Sequence, residues 1–118
     1  MPGQPGGRPV SPHEDLRSLL QRYARAVDER DLDILGSLFH PEAEISGAGG
    51  GKNLEDWLDT MRGPRVFPHS MHVFSDPLIE LDEGDQGAQL DTYAVVYQLS
   101  DPTTGQADLT LGIRYLDR

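Results

Sequence analysis

The chain has 118 residues, enough for one domain with a limited core. Its 20 acidic residues outnumber 10 basic ones, giving a formal charge of −10. That argues against a nucleic-acid surface, which needs a basic stripe, and disfavours anionic membranes, while the lack of cysteine excludes disulfides, thiolate catalysis and cysteine–zinc sites.

Residues 1–11 are rich in Gly and Pro and carry no apolar core of a signal peptide. They are expected to be a disordered tail before a domain over 12–118, and the protein is expected to be cytoplasmic. No apolar run is long enough to span a bilayer as a helix. The first helix is the clearest element. Ser11 suits its cap, Pro12 its first position and Glu14 the place of a capping-box acid. Leu16, Leu19, Leu20, Tyr23, Ala24 and Val27 form one apolar stripe, with Arg17, Gln21, Arg22 and Arg25 opposite.

Asp31 can cap a second, shorter helix with Leu32, Leu35, Leu38 and Phe39 as its stripe, stopped by Pro41. Ala43 to Ser46 suit a short strand, and a glycine-rich loop spans Gly47 to Gly51. Asn53 can cap a third helix, with Leu54, Trp57, Leu58 and Met61 inward and Gly63-Pro64 at its end. Strands follow. Met71, Val73, Leu78, Ile79 and Leu81 belong to one segment, which Pro77 interrupts as an edge or bulge. Turns at 82–85 and 102–105 separate it from a long strand, 88–99, and a last strand, 107–116. Short turns predict an antiparallel meander, and the whole order predicts an α+β fold.

Two signals fail on inspection. A phosphate loop over 46–53 would need glycine at Ser46 and Ser or Thr at Asn53, and a dinucleotide fingerprint would need glycine at Lys52. A flexible lid or disordered loop is the expectation there. His69 and His72 should point to opposite faces of a strand, and His13 and His40 lack ligand-like spacing, so no metal site is expected.

Tyr23-Ala24-Arg25-Ala26-Val27-Asp28, then 31–39 and Pro41-Glu42-Ala43, resemble the opening of the SnoaL-like family of the nuclear-transport-factor-2-like superfamily. His72 followed by Asp76, where members often have His and then Asn, and the closing Arg114-Tyr115-Leu116-Asp117-Arg118 extend the resemblance over roughly 12–118. The resemblance implies a cone: a curved antiparallel sheet, with three N-terminal helices on its concave face and a pocket for a small hydrophobic ligand. It also implies a further strand beyond Arg118. Its lack suggests either a truncated chain or an edge covered by a partner, and a homodimer is expected because sheet faces in this fold commonly pack together.

The family includes polyketide cyclases, dehydratases, ketosteroid isomerases and non-catalytic assembly subunits. In the dehydratases, a tyrosine and an aspartate on the first helix face a histidine on the sheet, which implies catalytic roles for Tyr23, Asp28 and His72. Histidine serves as acid or base near neutral pH, aspartate fixes its tautomer, and a tyrosine hydroxyl stabilises an enolate. The plainer readings are a core tyrosine, a packed strand histidine, and a helix-ending Asp28 about 140° around from Tyr23. The isomerase version lacks its two acids, since Gly47 and Gly112 stand at those places. Asp91 and Tyr93, which share a face of the long strand, are further pocket candidates. Trp57, Met61, Phe67 and Phe74 could form apolar walls, or simply core. The expectation is a cofactor-free acid–base enzyme on a small hydrophobic carbonyl compound. The alternatives are a non-catalytic binding or assembly module and an engineered piece without activity.

Overall fold

A computed structural model describes residues 11–47 and 50–118. The expected tail lies outside the described residues except for Ser11, as do residues 48 and 49 of the glycine-rich loop. The chain runs α1 (Pro12–Glu29), α2 (Leu32–Ser37), β1 (Glu44–Gly47), β2 (Gly50–Asn53), α3 (Leu54–Arg62), β3 (His69–Phe74), β4 (Leu78–Leu81), β5 (Ala88–Leu99) and β6 (Leu109–Asp117). The architecture is α+β, three helices with antiparallel sheets, as expected.

The helix caps form as the sequence dictates. Ser11 Oγ accepts from the Glu14 N–H, Asp31 from the Ile34 N–H and Asn53 from the Asp56 N–H. Each satisfies a donor that the first turn leaves orphaned. On α1 the buried residues are Leu20, Ala24, Ala26 and Val27. Leu19, placed on the apolar stripe, is instead 36% exposed. Ala26 takes a buried place because α1 packs against helices as well as the sheet. Ala26, Val27, Leu35 and Leu58 form one core cluster, with Tyr23, Phe39, Trp57 and Met61 half-buried around it.

The expected glycine-rich loop is in part a hairpin: β1 and β2 pair antiparallel from Glu44↔Asn53 to Gly47↔Gly50. Its residues carry no alternating apolar pattern, and it is held by backbone pairing and by contact with α3.

The four-stranded sheet is organised by β5. One edge of β5 pairs with β3 over residues 94–99 and with β4 over residues 88–91, and the other edge pairs with β6. β3 and β4 therefore lie end to end, and the register slips by one residue between them. Ser70, His72 and Phe74 are inward on β3, whereas Ile79 and Leu81 are inward on β4. The slip falls at residues 75–77, the interruption expected at Pro77, which has no N–H for the ladder. Ser75 fastens it, donating both its N–H (2.8 Å) and its Oγ hydroxyl (2.9 Å) to the Tyr93 carbonyl. The turn between β5 and β6 is a short 3-10 segment, capped by Asp101 and closed by Gly105 at φ 74°, where a side chain would strain.

Leu90, Thr92, Ala94 and Val96 of β5 are buried beneath α1. The opposite face leaves Met71, Val73, Tyr93, Val95, Tyr97 and Leu116 exposed. No helix among the described residues is long and apolar enough to cross a membrane.

Candidate active site

Asp28 occupies the last turn of α1, and His72 lies near the middle of β3, on the face turned to that helix. Helix geometry carries the carboxylate over the strand, and strand alternation turns the imidazole up to meet it. The His72 ring nitrogen Nδ1 is 2.7 Å from Asp28 Oδ1, and the His72 backbone N–H donates to Asp28 Oδ2 at 2.9 Å. Ser70 Oγ, two residues earlier on the same face, donates to Asp28 Oδ1 at 2.9 Å. The carboxylate thus accepts three hydrogen bonds, two of them from one residue. Since a carboxylate only accepts, Nδ1 must carry a proton, and in the neutral ring Nε2 is then the basic nitrogen. The pair is well shielded, with side chains 9% exposed for His72 and 21% for Asp28.

Tyr23 sits one turn and more before Asp28 and is enclosed by rings. Phe39, Trp57, His72, Phe74 and Tyr115 all lie with centroids 6.0 to 6.4 Å from its own. Trp57 is stacked on it, and the other rings meet it at steep angles, geometries that favour aromatic pairs. Its nearest phenol is that of Tyr115, whose ring lies edge-on with its centroid 6.3 Å away. Burial pushes the Tyr23 phenol far up, with Tyr115, Asp117 and Asp28 adding in the same direction. Tyr115 is raised by burial and then by Asp117 and Asp28, against a lowering by the Tyr23 hydroxyl. Both phenols therefore stay protonated well beyond neutral pH, which makes them donors rather than bases. Asp117, on the same face of β6, is partly open to solvent yet desolvated enough for its carboxyl to be raised.

Tyr23, Asp28 and His72 are thus brought together. The four apolar candidates divide. Phe74 abuts the site, 6.4 Å from His72 and 5.2 Å from Tyr115 by ring centroids. Trp57 backs Tyr23, Met61 packs on the helical core, and Phe67 is half-buried, its carbonyl accepting from Arg65. Asp91 and Tyr93 do not join them. They point to the outer face of β5, where Tyr93 is 67% exposed and Asp91 is bound by the Arg114 guanidinium at 2.9 and 2.6 Å. That guanidinium holds the Asp91 carboxyl below its usual range. The residues of β5 that face α1 are the even ones, so the pocket-face expectation is displaced by one residue.

Ser70 and Tyr115 are the polar residues that sequence reasoning misses. Ser70 shares the strand face of His72 two residues away, a signal available from alternation. Tyr115 pairs with Thr92 across β5 and β6, and only that register turns it inward. A cavity of about 250 Å³ lies beside the site, lined by Arg17, Leu20, Gln21, Phe74, Ser75, Asp76 and Pro77. Phe74 is its common wall with His72, and the Arg17–Asp76 ion pair (2.7 Å) sits among its lining groups. His69 and His72 lie on opposite faces of β3.

The profile of the SnoaL-like domain family matches residues 8–118. No match was found among curated proteins. Three solved structures share the fold at low identity. A candidate scytalone dehydratase from Novosphingobium aromaticivorans DSM 12444 superposes with a TM-score of 0.75 at 19% identity, over 86% of this chain and 68% of its own. A hexachlorocyclohexane dehydrochlorinase (LinA) of type 2 does so with 0.73 at 17%, over 86% and 69%. A variant of Rv3472, a protein of unknown function from Mycobacterium tuberculosis, gives 0.69 at 20%, over 86% and 58%.

Proposed function

The chain belongs to the SnoaL-like domain family, and we propose that it is a cofactor-free acid–base enzyme, a dehydratase, isomerase or cyclase acting on a small hydrophobic carbonyl compound. The observation that carries this reading is the shielded Asp28–His72 pair, which leaves Nε2 as a base beside two protonated phenols. Two solved neighbours named for elimination chemistry, a dehydratase and a dehydrochlorinase, support the class.

For dehydration, His72 Nε2 removes the proton α to the carbonyl, and the C–H electrons move to the carbonyl oxygen as an enolate. The protonated phenols of Tyr23 and Tyr115 are the donors that stabilise that oxygen. The enolate then reforms the carbonyl, the β-hydroxyl departs, and the imidazolium returns its proton to make water. Asp28 holds the ring in the competent tautomer and stabilises the imidazolium between the two steps. His72→Ala is expected to abolish turnover of β-hydroxy carbonyl substrates while the domain stays folded by circular dichroism. Full activity in that variant refutes the reading.

A non-catalytic small-molecule-binding or assembly module is the second reading. It is favoured by the small cavity, which the Asp28–His72 pair does not line. Native mass spectrometry of the purified protein separates the two: a retained apolar ligand that survives prolonged incubation unchanged favours the module. A homodimer through the outer sheet face belongs to the proposal, supported by the exposed Met71, Val73, Tyr93, Val95 and Tyr97. Light scattering at the mass of one chain overturns it. A cytoplasmic location is also proposed, and cell fractionation tests it.

A further inference from the structure

Arg30 follows α1 as its C-cap, with φ 58° and ψ 35°, and is the single non-glycine residue at positive φ among the described residues. Helices often end in this left-handed conformation, but the position normally falls to glycine or asparagine, because a Cβ there strains the backbone. The same residue carries a second unfavourable feature. Its Nε is buried and has no hydrogen-bond partner, although desolvating such a group without a partner is costly. A solvent-facing arginine would escape the second cost, and a glycine would escape both.

What the side chain reaches gives the reason. Arg30 Nη2 approaches Ser70 Oγ at 3.5 Å, and that hydroxyl donates to Asp28 Oδ1 at 2.9 Å. Asp28 Oδ1 in turn receives the proton on His72 Nδ1. The donors run in one direction, from guanidinium to hydroxyl to carboxylate, with the imidazole closing the chain from the far side. From these contacts we infer that Arg30 is a positioning residue for the Asp28–His72 pair, acting through the Ser70 hydroxyl. A cation at the far end orients that hydroxyl so that its proton faces the carboxylate, and a polarised hydroxyl is the stronger donor. With Oδ1 held by Ser70 and Oδ2 by the His72 N–H, the carboxylate cannot swing away from the ring. The left-handed cap is what turns the side chain of a residue just past the helix end back toward β3.

This deepens the acid–base reading and rests on it for the relay's purpose, but the test needs no substrate. The readout is solvent exchange of the His72 Nδ1 proton by NMR, in the wild type, Arg30→Gly, Ser70→Ala and the double variant. Glycine suits φ 58°, so Arg30→Gly is expected to keep the wild-type melting temperature or exceed it. Each single variant is expected to exchange the ring proton about tenfold faster, as one charge-assisted contact is lost. The double variant is expected to be no faster than either single one, since both break the same chain. Wild-type exchange in Arg30→Gly, additive effects in the double variant, or loss of folding in Arg30→Gly each overturn the proposal. Failure of the acid–base reading shows separately, as a relay that is intact by exchange in a protein without turnover.

Discussion

Replacing Asp28 by asparagine is the most informative single perturbation. The carboxylate accepts from Ser70 Oγ, His72 Nδ1 and the His72 backbone N–H. An amide has one accepting and one donating end, so one of those groupings must meet a donor. The backbone N–H cannot change its role, so the amide oxygen should stay with it, and the NH2 should face Nδ1 and Ser70. The hydroxyl can rotate to accept. The imidazole can accept only by moving its proton to Nε2, which removes the basic nitrogen from the site. Three charge-assisted bonds become ordinary ones, which costs about 1–3 kcal/mol of stability and leaves the domain folded. Turnover should fall about 10,000-fold, the loss expected when a carboxylate no longer sets a catalytic tautomer. The ring ¹⁵N and ¹³C shifts of His72 at neutral pH report the tautomer directly, and urea denaturation reports the stability. Persistence of the Nδ1–H tautomer in Asp28→Asn, or turnover within about tenfold of wild type, would refute the reasoning.

Three further outcomes follow from the same geometry. The unfolded Tyr23 phenol ionises near 10, while burial keeps the folded one protonated. Above pH 10 the unfolded chain therefore binds fewer protons, and stability falls with rising pH by up to about 1.4 kcal/mol per unit from this group. Urea midpoints of wild type should drop more steeply there than those of Tyr23→Phe, and parallel curves refute the assignment. Phe74→Ala removes the wall between the cavity and His72, so it should lose about 3 kcal/mol of stability and bind more of an apolar fluorescent dye. Unchanged dye binding speaks against a shared wall. Thr92 is fully buried with an unpartnered hydroxyl. Thr92→Val should therefore raise stability by about 1 kcal/mol, and a lower melting temperature would reveal a partner for that hydroxyl.

Local chemistry is legible where it acts over a few residues. Ser11, Asp31 and Asn53 cap the helices that the sequence expects them to cap, and Pro77 marks the register slip. Approach of Asp28 to His72 is legible only through the family resemblance, because nothing local joins positions 44 residues apart. What fails depends on pairing register. Asp91 and Tyr93 are expected in the pocket, although the alternation of β5 alone cannot say which face is buried. The even residues, Leu90, Thr92, Ala94 and Val96, are the less polar set, and that contrast points the right way. Tyr115 cannot be placed until Thr92 is known to stand opposite it. The β1–β2 hairpin escapes a sequence reading because Gly50 and Gly51 offer no side-chain pattern.

The grip of Asp28 on both the ring and the main chain of His72 makes it a rivet as well as a catalytic candidate. Were β3 to slide by a single position, the helix would lose its fastening at the same moment the imidazole turned away. A descendant that abandoned chemistry altogether would still gain some stability from the aspartate, because it holds the main chain of β3 whatever side chain stands at position 72. The aspartate by itself is therefore a fastening, and activity has to be judged from the imidazole it orients together with the phenols beside it.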